Sequence, residues 1–169
     1  MPIVNMEGYK MSKRIGVFAV LSLFLVFPVS ASMVSFLVVE TGIGEDVPQN
    51  QISSLWEGGI MAAFFDAGHI VTDNPITRIE KRPSRDLSGP IETDFNEAAS
   101  MGAEYYVLGF IAYENQGGRA EPISISLKLF KIDSKKLIAE KEFPVGNGKS
   151  LAEEHKNAQN AGRVIISYM

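Results

Sequence analysis

The 169-residue sequence contains no cysteine and only two histidines. Without cysteine the chain cannot form a disulfide, a zinc–thiolate site, a cysteine nucleophile or a lipid anchor at an N-terminal cysteine. An excess of basic residues is also missing, since 16 Lys and Arg stand against 20 Asp and Glu and the net charge is −4. Nucleic-acid binders neutralise phosphates with clustered Lys and Arg, so this charge balance argues against general nucleic-acid binding.

Only one long apolar run is present, and it lies near the N-terminus. Lys13 and Arg14 precede the apolar stretch 15–29, and residues 29–32 (VSAS) offer small side chains for cleavage. The stretch is shorter than the roughly 20 residues that a membrane-spanning helix needs. The pattern predicts a signal peptide at 1–32, a single domain at 33–169, and a periplasmic or secreted location. An uncleaved membrane anchor is the alternative, and Met1, Met6 and Met11 are alternative starts.

The remaining chain alternates between strand and helix patterns. β-Branched or alternating segments predict strands, and apolar residues at helical spacing predict helices. The predicted elements are a strand at 33–40, a helix at 50–67, a strand at 69–71 that resumes at 76–79 after Asn74-Pro75, a helix at 94–101, strands at 104–113, 123–129 and 137–143, and a helix at 150–168. The order β-α-β-α-β-β-β-α predicts an α+β (mixed α/β) fold with helices packed on a four- to five-stranded sheet.

Two of these elements carry more detailed patterns. In the first helix, Trp56 is predicted to be a core residue, and Gly58-Gly59 predicts a close approach to a sheet that offsets about 1 kcal/mol per glycine. In the strand 123–129 apolar and polar residues alternate, which predicts a half-exposed antiparallel strand. Beyond Leu129 the phase shifts, which predicts a bulge or the strand's end.

The segment 146–150 (GNGKS) resembles part of a phosphate-binding loop. The full motif G-x-x-x-x-G-K-[ST] requires a first glycine at position 143, which is Phe143 here. The segment is therefore predicted to be a glycine-rich turn into a helix whose N-terminus is capped by Ser150.

A second glycine-containing loop follows the first strand. Gly42 and Gly44 match the start of a dinucleotide-binding fingerprint, but its third glycine would fall at Val47. Glu45 and Asp46 would repel a pyrophosphate, so a tight turn is the preferred interpretation. A pocket near residues 42–46 is the alternative, and it would belong to a small exported ligand-binding protein or enzyme.

Residues with catalytic or metal-binding chemistry are scattered. His69 and His155 are far apart, and Gly68 breaks the helix between Asp66 and His69. Glu153 and Glu154 fall on the predicted solvent face of the last helix without a second catalytic partner. We therefore predict no catalytic residue, no metal site and no cofactor, and a protein that is not an enzyme.

Four basic residues, Arg78, Lys81, Arg82 and Arg85, form a patch in this otherwise acidic chain. A solvated loop is the simplest interpretation. The functional interpretation is a docking site for an acidic partner or an anionic headgroup, because clustered charge steers association with oppositely charged surfaces.

Three segments resemble a known group of proteins: 68–73 (GHIVTD), 98–109 (AASMGAEYYVLG) and 126–136 (SLKLFKIDSKK). With the order of elements, they resemble the small periplasmic α/β domain of TolB-type N-terminal domains, curli-secretion CsgG-like proteins and LpoB-type activators of penicillin-binding proteins. The resemblance covers about residues 34–145. It implies a non-enzymatic protein-interaction or accessory domain in cell-envelope assembly or secretion, with another envelope protein as partner. The sequence departs from the group by lacking a lipidated cysteine and a downstream propeller.

Overall fold

In a computed structural model of the protein, the described residues are 31–43, 51–116, 119–146, 148 and 150–169. The predicted signal peptide up to residue 30 therefore lies outside the described residues, as do residues 44–50. Within the described segments, no helix is long and apolar enough to cross a membrane.

In the described part of the chain, three helices pack on one mixed sheet, which confirms the predicted α+β fold class. The elements are β1 (Met33–Thr41), α1 (Gln51–Asp66), β2 (Ile70–Asp73), β3 (Thr77–Ile79), α2 (Pro90–Ser100), β4 (Tyr105–Gln116), β5 (Arg119–Lys131), β6 (Lys136–Pro144) and α3 (Leu151–Ile166). Strands β2, β3 and β4 run parallel to β1, whereas β4, β5 and β6 are antiparallel neighbours.

Six strands fill only five positions in the sheet, in the order β2-β1-β4-β5-β6. Strands β2 and β3 pair one after the other along the same edge of β1. The interruption lies at Pro75, which has no backbone N–H to donate to a ladder. The predicted strand that resumes after Asn74-Pro75 is thereby confirmed.

Both faces of the sheet are covered. On the first face, Val34, Phe36 and Val38 pack with α1 and α3. On the second face, Leu37 and Val39 pack with α2. Because β1 is buried on both sides, its sequence is a continuous apolar run rather than an alternating one.

Helices α1 and α3 touch each other through glycine. A Cβ on Gly59 would lie 2.6 Å from the Ala158 Cβ, and one on Gly162 would lie 2.8 Å from the Ala63 Cβ, whereas one on Gly58 would meet nothing within 4 Å. The prediction that Gly58-Gly59 allows a close approach to a sheet was therefore wrong, because the close approach is to helix α3. A single glycine, Gly59, is needed, and it faces a helix.

Strand β5 is less exposed than its alternating sequence predicted. The residues Ser126 and Lys128 are both only 6% exposed, because the chain between β3 and α2 contacts them through Arg82 and Asp86. The predicted irregularity is confirmed, since the pairing with β6 shifts register between Leu129 and Phe130. Phe130 and Ile132 belong to the core beneath α2.

Candidate functional site

The candidate site is the segment 80–89, called loop 80–89 below, which connects β3 to α2 and crosses the second face of the sheet. Asp86 anchors it, because its carboxylate accepts a 2.7 Å hydrogen bond from Lys128 Nζ on β5. The same ammonium group lies 3.0 Å from Glu140 Oε1 on β6. Leu87 packs against the apolar core on this face. One buried lysine thus joins the loop to two neighbouring strands.

Arg82 holds the middle of the loop. Its guanidinium lies 4.6 Å from the centroid of the Phe110 ring. It also donates hydrogen bonds to Ser126 Oγ at 3.4 Å and to Glu140 Oε1 at 3.3 Å. With its side chain 41% exposed, Arg82 both fixes the loop and remains reachable from solvent.

Arg78 lies apart from the loop, on β3. Its Nε donates a 2.7 Å hydrogen bond to Glu40 Oε2 on β1, and the Glu40 side chain is fully buried. The four predicted basic residues therefore do not act alike. Arg78 neutralises a buried carboxylate, and Arg82 fixes the loop.

Lys81 and Arg85 are the exposed cations of the loop. Among the described residues, neither side chain forms an ion pair. Within the predicted patch, Lys81 and Arg85 are therefore open to a partner. Arg82 is partly exposed but also pairs with Glu140, and Arg78 pairs with the buried Glu40. Its role in binding stays a prediction.

Polar groups also gather where β1 and β4 end. Tyr113 and Ser53 share a 2.6 Å hydrogen bond, and burial raises the pKa of Tyr113 to about 12 against the lowering effect of that bond. Among the described residues, the second oxygen of Glu40, Oε1, is buried without a hydrogen-bond partner. Since α1 and α2 pack on opposite faces, β1 lies at the topological switch point where ligands bind in many open α/β sheets.

The predicted pocket near residues 42–46 is only partly described, because residues 44–46 lie outside the described residues. At its start, Gly42 adopts a φ of 81°. A Cβ there would lie 2.3 Å from the Tyr113 carbonyl oxygen, so the turn requires glycine. This agrees with the predicted turn and leaves the predicted pocket untested.

The phosphate-loop look-alike binds the chain's own carboxylate. The backbone N–H groups of Gly146 and Gly148 each donate to Glu154 at 2.8 Å, and Trp56 Nε1 donates to the same group at 2.7 Å. Ser150 Oγ accepts from the Glu153 N–H at 3.2 Å, which confirms the predicted cap. Residues 147 and 149 lie outside the described residues.

Glu154 therefore corrects the sequence interpretation. It was placed on a solvent face but is 2% exposed, and Trp56 is buried beside it as predicted. Burial alone would raise the pKa of Glu154, but hydrogen bonds from Gly146, Trp56, Gly148 and Asn157 outweigh it and lower that pKa. The sequence held one signal for this, the glycines that free two amides to face an anion.

Two surface cavities flank α3. One of about 250 Å³ is lined by apolar and amide side chains without a titratable group, and one of about 380 Å³ includes Asp66 and Arg163. Over the described part of the chain, no three His, Cys, Asp or Glu residues are grouped so that they could hold a metal ion.

Comparisons with known proteins give a fold likeness only. No protein-family model and no curated protein matches the sequence. Similar solved structures include a PelC variant dodecamer from Paraburkholderia phytofirmans, with 12% identity, a TM-score of 0.47 and coverage of 78% of this chain and 86% of that one. The LpoB C-terminal domain from Salmonella enterica is 12% identical, with a TM-score of 0.37 and coverage of 68% of this chain and 82% of that one. TolB from Acinetobacter baumannii is also 12% identical, with a TM-score of 0.36 and coverage of 80% of this chain and 26% of that one.

LpoB and TolB belong to the group that the sequence resembles, but at these values neither a family nor a function follows from the likeness.

Proposed function

We propose that this chain is a non-enzymatic exported protein that binds an acidic protein of the cell envelope through loop 80–89. The observation that carries the proposal is the loop's construction. Arg82, Asp86 and Leu87 fix it to the sheet, while Lys81 and Arg85 are exposed.

A fixed loop is well suited to binding. Ordering a mobile segment costs conformational entropy at association, and a loop already held in place avoids that cost. Three exposed cations, Lys81, Arg82 and Arg85, outnumber the exposed Glu80 in this loop. This local positive excess on an acidic protein orients an acidic partner on approach.

Internal pairing supports the non-enzymatic part of the proposal. The buried carboxylate of Glu154 accepts hydrogen bonds from four N–H donors, and the buried ammonium of Lys128 is paired with two carboxylates. Neither group is left to exchange a proton with a substrate, as a catalytic acid or base must.

A charge-reversal pair tests the proposal. Lys81→Glu with Arg85→Glu should weaken capture of a partner from envelope fractions at least about tenfold and reduce the salt dependence of association. Lys136→Glu with Lys156→Glu is the matched control, because both lysines are exposed on other elements. Circular dichroism verifies that all variants fold. Equal loss in both double variants, or no loss in either, would refute the assignment to loop 80–89.

A ligand-binding role at the switch point is the second candidate, and Glu40 Oε1 favours it because no group in the described part of the chain donates to it. A buried carboxylate oxygen without a donor is costly, so a ligand N–H or O–H group would find a ready acceptor there. Native mass spectrometry of the purified protein separates the two candidates. A retained small molecule that is lost in Glu40→Gln would favour this second role over protein binding.

A further inference from the structure

The exposed apolar side chains are concentrated at one end of the domain. This end, called the strand-start end below, is where β1, β2, β4 and β6 begin and where β5, α1, α2 and α3 finish. Of eight exposed large hydrophobic side chains among the described residues, six belong to these termini: Phe65, Ile70, Met101, Leu137, Val164 and Tyr168. Phe65 and Ile70 are the most exposed, at 72% and 57%.

The other two residues, Ile123 and Leu151, lie toward the opposite end, near the start of β5 and of α3. Scattered single exposed hydrophobic residues are ordinary on a protein surface, but a concentration of them at one end marks an interaction surface. The asymmetry therefore calls for a partner that covers the strand-start end.

Charge does not select that partner. The charged side chains at this end are nearly balanced, five basic against four acidic: Lys131, Lys135, Lys136, Lys141 and Arg163, with Asp66, Glu97, Glu104 and Asp133. An excess of one positive charge leaves no strong field to attract or repel a charged surface. Contact at this end has to come from burial of apolar area.

The sequence upstream of β1 contains an apolar stretch close to the strand-start end. Three residues, 30–32, separate the end of the apolar stretch 15–29 from Met33, where β1 begins. At 3.3–3.6 Å per extended residue, the chain from position 29 to position 33 reaches at most about 14 Å. Whenever 15–29 occupies a lipid bilayer, the strand-start end is held within that distance of the lipid headgroups.

We infer that the strand-start end is a membrane-contact surface, which rests its exposed apolar side chains on the bilayer while residues 15–29 are attached and inserted. Aromatic and aliphatic side chains of this kind sit at the boundary between headgroups and acyl chains. Loop 80–89 leaves β3 at the other end of the parallel strands and stays open to a partner. This inference does not depend on the proposed function.

The absence of native cysteine makes a single-site label a direct test. The full-length chain is reconstituted into phosphatidylethanolamine–phosphatidylglycerol vesicles that contain a lipid-attached quencher. A fluorophore is placed at Ser134→Cys, in the exposed turn between β5 and β6, or at Glu121→Cys near the other end of β5. Quenching should be at least about twofold stronger at position 134.

Two double variants distinguish contact from mere tethering. Phe65→Ser with Ile70→Ser should lower the excess quenching at position 134 to what the short connection alone produces, whereas Ile123→Ser with Leu151→Ser should leave it unchanged. Because the contact is apolar, 0.5 M salt should have little effect on the quenching.

Three results would overturn the inference. The first is equal quenching at positions 134 and 121, and the second is excess quenching that is undiminished in Phe65→Ser with Ile70→Ser. The third is self-association of the chain in detergent that the same double variant abolishes, because that result would assign this end to a second copy of the protein.

Discussion

The two faces of the sheet are covered by different means. On the first face, α1 and α3 pack so closely that Gly59 and Gly162 leave no room for a Cβ. On the second face, α2 covers one part, and loop 80–89 covers the rest through Lys128, Asp86 and Glu140. Close helix packing thus covers the first face, whereas the second face is covered in large part by a loop that ion pairs hold in place.

This difference separates stability from function. A close-packed helix pair tolerates neither added nor removed atoms, because surrounding structure relaxes only partly. Paired charges that are taken from water contribute little net stability, since desolvation offsets most of their attraction. We therefore expect the first face to set the stability of the domain and the second face to fix the shape of the loop.

The largest effect is expected at Glu154, a buried carboxylate of the first face. Glu154→Ala leaves Trp56 Nε1 and two backbone N–H groups without their acceptor. Each buried unpaired donor costs about 1–3 kcal/mol, so the free energy of unfolding should fall by about 4 kcal/mol. Urea unfolding followed by fluorescence of Trp56, the single tryptophan, measures it. Glu153→Ala, at the exposed neighbour, should cost under about 1 kcal/mol.

The second face offers a sharper contrast, because two ways of removing its ion pairs should differ. Asp86→Asn with Glu140→Gln leaves the ammonium of Lys128 buried without a carboxylate, which should cost about 3 kcal/mol. Lys128→Met removes the buried charge itself and should cost under about 1 kcal/mol. Chemical unfolding of both variants checks this order. If Lys128→Met were the more damaging change, the ion pairs would be a main source of stability.

A third effect returns to the helix pair. Gly162→Ala places a Cβ 2.8 Å from the Ala63 Cβ and 3.0 Å from the Ile60 carbonyl oxygen. Overpacking of this kind costs about 2 kcal/mol. Gly58→Ala is the control, since a Cβ there meets nothing within 4 Å, and it should stabilise the helix by up to about 1 kcal/mol. Thermal unfolding of both variants should give shifts of opposite sign.

Local sequence patterns predicted the elements of this fold well. The break at Pro75, the cap at Ser150 and the irregularity near Leu129 each depend on residues close together in the chain, which is where local preferences act. The buried positions of Glu154 and Lys128 depend on partners 98 and 42 residues away, Trp56 and Asp86. A charged residue is predicted to be exposed unless its partner is known, so the burial of Glu154 and Lys128 was not predicted.

The candidate site shows the same limit. Arg78, Lys81, Arg82 and Arg85 are alike in sequence, and only distant partners separate them. Glu40 lies 38 residues before Arg78, and Glu140 lies 58 residues after Arg82. The composition of the loop predicted a basic patch, but strand pairing determines which of its cations remain open.

The smallest predicted effect concerns Glu57, a half-buried residue of α1 that tests the first face by pH. Burial, together with the nearby negative charge of Asp73, raises the pKa of Glu57 from 4.5 to about 7. The folded state therefore holds this proton more tightly than the unfolded chain does. The stability that Glu57 contributes is fully present below about pH 4.5 and is lost as the pH rises through about 7.

Replacing Glu57 by glutamine should remove that slope. Between pH 5 and pH 8 the wild-type protein should lose stability relative to Glu57→Gln, by under about 1 kcal/mol because water screens a half-buried group. Glu92→Gln, at an exposed position of α2, should keep the wild-type slope. Thermal unfolding across this pH range measures the difference. Parallel curves of stability against pH for wild type and Glu57→Gln would mean that water reaches Glu57 freely. In that case the close packing at the α1–α3 contact would not extend across the first face to the edge at β2.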